Sequence, residues 1–148
     1  MKLISLMLFM ATAGFAQQKS EYDEALAKKL GGDSHGMKTF VLVILKTGEK
    51  TITDEKQRAE IFAGHMKNIN RMAAEGKLAV AGPFGKNDSN FRGLYIFDVA
   101  TIDEAKALVS TDPAVSSGMM TGEFYTWYGS AAIGEINNIH NKIAKEKF

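Results

Sequence analysis

Apolar residues occupy both parities of the stretch Phe40 to Leu45, with Phe40, Leu42 and Ile44 on one side and Val41, Val43 and Leu45 on the other. A strand that reads this way is covered on both faces. From Asp54 the period changes. Ile61, His65, Ile69 and Met72 recur at spacings of four, four and three, which is one face of a helix, and Phe62 and Met66 widen it. Asp54 with Gln57 fits a capping box, and Gly76 sits where a left-handed C-terminal cap belongs. Lys77 to Ala81 reads as a second strand stopped by Gly82-Pro83. Gly93 to Val99 reads as a third, with Leu94 and Ile96 on one face and Tyr95 and Phe97 on the other. The short polar loop Gly85 to Asn90 joins them as a hairpin. Thr101 and Glu104 form another capping box ahead of Ala105, Leu108 and Val109. Asp112-Pro113 ends that helix, because the residue before a proline avoids helical backbone. Pro113 to Gly118 makes one more turn, and Glu123 to Tyr128 is a last strand.

The predicted order is β-α-β-β-α-β, the ferredoxin-like, split βαβ pattern of an α+β protein. Two helices cover one face of a four-stranded antiparallel sheet and leave the other bare. That face carries apolar residues of the first strand and aromatics of the last, and exposed apolar surface of this size marks an interface. A second copy packed sheet to sheet, a symmetric homodimer, covers it. The alternative is a monomer whose own termini fold over it. Both termini offer a helix. Ser20 to Leu30 repeats Tyr22, Leu26 and Leu30 on one face, with Ser20 as cap and the flexible run 31–36 after it, and Ile136, Ile139 and Ile143 mark a short terminal helix.

The first sixteen residues have another purpose. Lys2 precedes a run, Leu3 to Met10, that is apolar apart from Ser5, and Gly14 and Ala16 place small residues before a cut at Gln17. This is the pattern of a secretory signal peptide, so the chain is expected to be exported, periplasmic or secreted. The apolar run is shorter than the roughly 20 residues that span a bilayer, so no stable membrane insertion is expected once it is removed. The alternative is an uncleaved anchor. The divisions are then 1–16 signal peptide, 17–37 helix and linker, 38–133 the domain, and 134–148 a helical tail.

Composition narrows the chemistry. The chain has 148 residues, which suits one domain, and no cysteine, which removes disulfides, thiol catalysis and lipoprotein attachment. The formal net charge of +1, with no basic run among aromatics, argues against a nucleic-acid partner. The three histidines, His35, His65 and His140, are too scattered for a metal set, and no phosphate loop, Gly-x-Ser-x-Gly or other cofactor motif is present.

What remains is His65, in an apolar helical stripe where a hydrophobe is expected, and Asp112. Each has a plain structural explanation: a core-edge histidine, and an N-cap for the turn at Pro113. Together they form a minimal unit of general acid–base catalysis, in which a carboxylate holds one ring nitrogen and leaves the other to move a proton. Spacing alone does not bring them together. Gly82, Pro83 and Phe84 at a strand end are candidates for one wall of a small-molecule pocket, and Tyr125 and Trp127, on one face of the last strand, for another.

The run His65-Met-Lys-Asn-Ile-Asn-Arg-Met-Ala-Ala-Glu-Gly76-Lys-Leu-Ala-Val-Ala-Gly82-Pro83 resembles the signature of YCII-related (YciI-like) proteins: a helix histidine, a glycine closing the helix, and a strand ending in Ala-Gly-Pro. Asp112-Pro113 matches that family's Asp-Pro step, and Trp127-Tyr128-Gly129 resembles an ending common in one branch. The likeness runs from about Thr39 to Ile133. It implies a dimeric α/β barrel, and it implies that His65 and Asp112 are the family's proposed active-site dyad. It also brings two activities as analogies, a dehydrochlorinase of a chlorinated hydroxyquinol and, among neighbouring barrels, lactone isomerases. The leader, the leading helix and the isoleucine-bearing tail depart from the pattern. Two readings stand: a cofactor-free lyase or isomerase acting on a small cyclic or aromatic compound, and a non-catalytic binding or structural dimer in the cell envelope.

Overall fold

The computed structural model describes residues 22–146, so residues 1–16, expected to be a signal peptide, and the expected cap Ser20 lie outside it. Helix α1 (Glu24–Leu30) leads into β1 (Met37–Thr47), α2 (Glu55–Ala74), the hairpin strands β2 (Leu78–Pro83) and β3 (Phe91–Phe97), α3 (Ile102–Ser110), the short α4 (Pro113–Ser116) and β4 (Met120–Ser130). A 3-10 turn (Ala131–Glu135) and α5 (Ile136–Ile143) follow. The sheet order β2-β3-β1-β4, antiparallel throughout, is the ferredoxin-like arrangement.

Local chemistry sets the element ends. Asp23 caps α1 by accepting from the Leu26 amide at 2.9 Å. Asp54 caps α2 through the Gln57 amide, and the Thr101–Glu104 box closes reciprocally on α3. Gly76 takes a φ of 70° just past α2, where a side chain would be strained.

Register decides which residues meet. Val41, Val43 and Leu45 of β1 oppose Phe97, Tyr95 and Gly93 of β3 and Thr126, Phe124 and Gly122 of β4 on the helix-covered face. There Val43, Tyr95 and Phe97 are buried together with Met72, Ala105 and Val109. On the bare face Phe40 opposes Trp127, and Leu42 opposes Tyr125 and Ile96. Phe40 is buried beneath the indole, with ring centroids 6.0 Å apart, whereas Leu42, Ile44 and Leu94 are half-buried and Tyr125 is exposed. The tail does not remove this exposure: Asn137 Nδ2 donates to the Leu78 carbonyl at 2.7 Å, fixing the start of α5 at the free edge of β2.

The sequence expected β2 to stop before Gly82-Pro83, yet both residues lie in the ladder, opposite Leu94 and Gly93. Proline is tolerated there because β2 is an edge strand, on which a missing N–H costs no sheet bond. Asn87 orders the hairpin loop by accepting from the Ser89 and Phe91 amides. No helix among the described residues is long and apolar enough to cross a membrane.

Candidate active site

His65 lies past the middle of α2, on the face turned to the sheet. Asp112 lies in the turn between α3 and α4, 47 residues further on. What lets them meet is Gly64. A Cβ at that position would stand 2.9 Å from the Pro113 ring, so only a glycine lets the start of α4 approach α2 this closely. Asp112 is thereby brought under the imidazole. His65 Nδ1 is 2.8 Å from one carboxylate oxygen and 3.0 Å from the other.

Asp112 has no solvent exposure, and a carboxylate so buried needs partners on both oxygens. It has them. Oδ1 accepts from the Ala114 amide at 2.9 Å, the cap of α4, and Oδ2 accepts from the Tyr95 hydroxyl at 3.1 Å. With two donors already fixed and both oxygens accepting, the ring nitrogen facing them is the third donor, Nδ1–H. Desolvation, and then the negative charge of Asp112, push the Tyr95 hydroxyl far above its ordinary ionisation range, so it stays a donor. The Tyr95 ring also stacks beside the imidazole, with centroids 6.3 Å apart. A second network steadies the approach. Thr111 Oγ1 donates to Asn68 Oδ1 at 3.1 Å, and Arg71 donates to both residues, which ties the end of α3 to α2 one residue before Asp112.

The imidazole forms part of the wall of a cavity of about 450 Å³, bounded by α2 above and the ends of β1, β2 and β3 below. Volumes in this range suit a small organic ligand. Phe62, Met66, Leu45, Pro83 and Met120 make the surface mostly apolar. His65 Nε2 has no hydrogen-bond partner among the described residues, and no side-chain nitrogen there is both buried and unpaired, so this atom opens to the cavity. Asp112 is behind the ring and does not reach it. A second cavity of about 490 Å³, between α2, β2 and α5, borders the first at Ile69, Asn70 and Ala81.

The structure thus gathers His65, Asp112, Gly82 and Pro83, and separates the other three sequence candidates. Strand alternation turns Tyr125 and Trp127 to the bare face, with Leu42 and Phe40. Phe84 follows the end of β2 and packs on Phe91, with centroids 5.5 Å apart, outside the cavity. Gly82 contributes backbone only. It opposes Leu94, so a side chain there points to the bare face, and the cavity owes nothing to its absence. Sequence reasoning missed Tyr95, Asn68 and Gly64. For Tyr95 a signal existed: a hydroxyl on a core-facing parity needs a buried partner.

A sequence profile for the YCII-related domain matches residues 39–123. The chain belongs to the YCII-related domain family. Among curated proteins it is similar to the uncharacterized protein YjpA of Bacillus subtilis, at 30% identity over 82 residues covering 55% of this chain and 85% of YjpA. Among solved structures it is similar to the 5-chloro-2-hydroxyhydroquinone dehydrochlorinase TftG of Burkholderia phenoliruptrix, in complex with 2,5-dihydroxybenzoquinone. That likeness has a TM-score of 0.43 and 20% identity, over 59% of this chain and 92% of the other. The matched stretch of this YCII domain contains His65, Gly76, Gly82-Pro83 and Asp112-Pro113.

Proposed function

We propose that this YCII protein is a small cofactor-free enzyme in which His65 transfers a proton on a small cyclic or aromatic compound. The observation that carries the reading is an imidazole fixed by a buried carboxylate on Nδ1 and open on Nε2 to a mostly apolar cavity. Nε2 takes a proton from a substrate carbon. The freed electron pair forms a double bond, and either a leaving group departs with its own bonding pair, as in a lyase, or His65 returns the proton to another atom, as in an isomerase. Asp112 holds the ring and offsets the positive charge that it gains. TftG is a dehydrochlorinase, an activity of the first kind, and serves as an analogy only.

The test is turnover of a panel of small cyclic ketones, lactones, halogenated phenols and single-ring acids in D₂O, followed by deuterium incorporation and halide release. General acid–base catalysis contributes about 10²–10⁴-fold, so His65→Gln should lose that much. A variant that turns over like the wild type removes the catalytic role. One observation favours the second reading, a binding module without chemistry: Asp112 also caps α4 and anchors Tyr95, so the pair has structural work independent of any substrate. Ligand binding without turnover across the panel would support it.

The bare face, with Leu42, Ile44, Leu94 and Tyr125, supports assembly as a homodimer, sheet against sheet. The pattern of residues 1–16 supports export from the cytoplasm.

A further inference from the structure

Arg92 has no part in the acid–base chemistry, yet it lies in the wall of the same cavity, and its route there is unusual. Along β3, Gly93, Tyr95 and Phe97 face the helices, so strict alternation would turn Arg92 to the bare face. The β1–β3 ladder slips at this point. Leu45 pairs with Gly93, and Lys46 pairs with Phe91, leaving Arg92 as an extra residue opposite nothing. Such a bulge re-aims a side chain. Phe91 takes the face of Lys46, whose ammonium lies 5.9 Å from its ring centre, while Arg92 turns back toward Thr47 and the cavity.

The guanidinium is held but not spent. Its Nε donates to Thr47 Oγ1 at 2.7 Å, and its two terminal nitrogens make no hydrogen bond or ion pair among the described residues. Among the described residues it is the one cavity-lining residue of fixed charge. Among the described residues no carboxylate lines the wall, since Asp112 is shut behind the imidazole, and Glu123 is engaged by Lys46 at 2.8 Å. An arginine anchored through Nε presents a flat pair of donors, the geometry that matches two oxygens of a carboxylate. Arg92 and Tyr95, whose ring lies beside His65, are three residues apart on β3, roughly 10 Å of strand. One ring with an acidic group attached fits between the two side chains.

Building on the cavity as the substrate site, we propose that Arg92 is its anion-recognising residue and that the substrate class is a single-ring organic acid. The acidic group sits on the guanidinium, and the reacting carbon sits toward His65 Nε2. The bulge is therefore a specificity device, since without it the cavity would carry no fixed positive charge.

Binding of matched neutral and anionic probes tests this without any turnover: benzoate against benzamide, and cyclohexanecarboxylate against its amide, by titration calorimetry on the full chain after leader removal. A charge-assisted pair predicts that each acid binds about tenfold or more tightly than its amide. The Arg92 Nε–H resonance should shift with the acid alone. Arg92→Met should bring acid and amide to the same affinity with thermal unfolding unchanged, because the side chain is exposed, and Arg92→Lys should keep part of the preference. If no acid binds more tightly than its amide, or if the preference survives in Arg92→Met, the proposal is overturned. The acid–base reading fails separately: undiminished turnover in His65→Gln would remove it while leaving a charge preference intact.

Discussion

At the scale of single residues, Asp112 concentrates most of the consequence. Its replacement by alanine strands the Tyr95 hydroxyl, the Ala114 amide and His65 Nδ1–H in a buried site. Breaking a buried, hydrogen-bonded carboxylate pair costs about 3–5 kcal/mol, so Asp112→Ala should unfold far more readily in urea. Loss of less than about 1 kcal/mol, the range of an exposed ion pair, would mean that the carboxylate is not so engaged. Tyr95→Phe removes one bond and should cost roughly 0.5–1.5 kcal/mol. Tyr95 also fixes an alkaline prediction. The folded chain holds its proton more tightly than the unfolded chain, whose tyrosine titrates near the ordinary value of 10.0. This contribution to stability is present below that pH and is lost as pH rises beyond it. Urea unfolding measured between pH 9 and 11 should show the decline in the wild type and a shallower one in Tyr95→Phe. Equal slopes would contradict the burial of a protonated phenol.

At the scale of elements, the contact of α4 with α2 aligns the pair, and Gly64 is where they touch. Gly64→Ala gains about 1 kcal/mol in helix propensity but forces an added methyl on the Pro113 ring, an overpacking that costs about 1–3 kcal/mol. A net loss of stability and a weakened His65–Asp112 bond are expected by thermal unfolding and NMR, and a higher melting temperature would contradict the close approach. This level was the least legible in sequence. The strands and helices could be read because their periods and caps are local: Asp54, the Thr101–Glu104 box and Gly76 act within four residues of themselves. Which faces meet is not local. Tyr125 and Trp127 looked like a pocket wall because nothing in β4 itself says which parity faces the helices; that is decided by pairing with Phe40 and Leu42. Arg92 was invisible for the same reason, since its direction depends on a slip between two strands. His65 and Asp112 stood out because each is chemically out of place in its own segment.

At the scale of the whole molecule, the sheet has one face filled by helices and one face with half-buried aliphatics around an exposed Tyr125. Sheet-to-sheet pairing predicts a dimer by analytical ultracentrifugation, which Leu42→Asp should convert to folded monomer by placing a charge at the centre of the apolar face. A wild-type chain that sediments as a monomer at every accessible concentration would contradict that assembly. The helices then have the outward role, since α2 alone carries the imidazole over the cavity while β3 supplies Tyr95 beneath it and Arg92 in its wall.

The acid–base account depends on one proton's position. Long-range ¹H–¹⁵N correlation of the His65 ring at neutral to mildly alkaline pH reads it directly. A protonated, pyrrole-type Nδ1 with a bare, pyridine-type Nε2 is the predicted state, and Asp112→Asn should lose that bias. A ring carrying its proton on Nε2 in the wild-type protein would contradict it, because the atom facing the cavity could then no longer serve as the base.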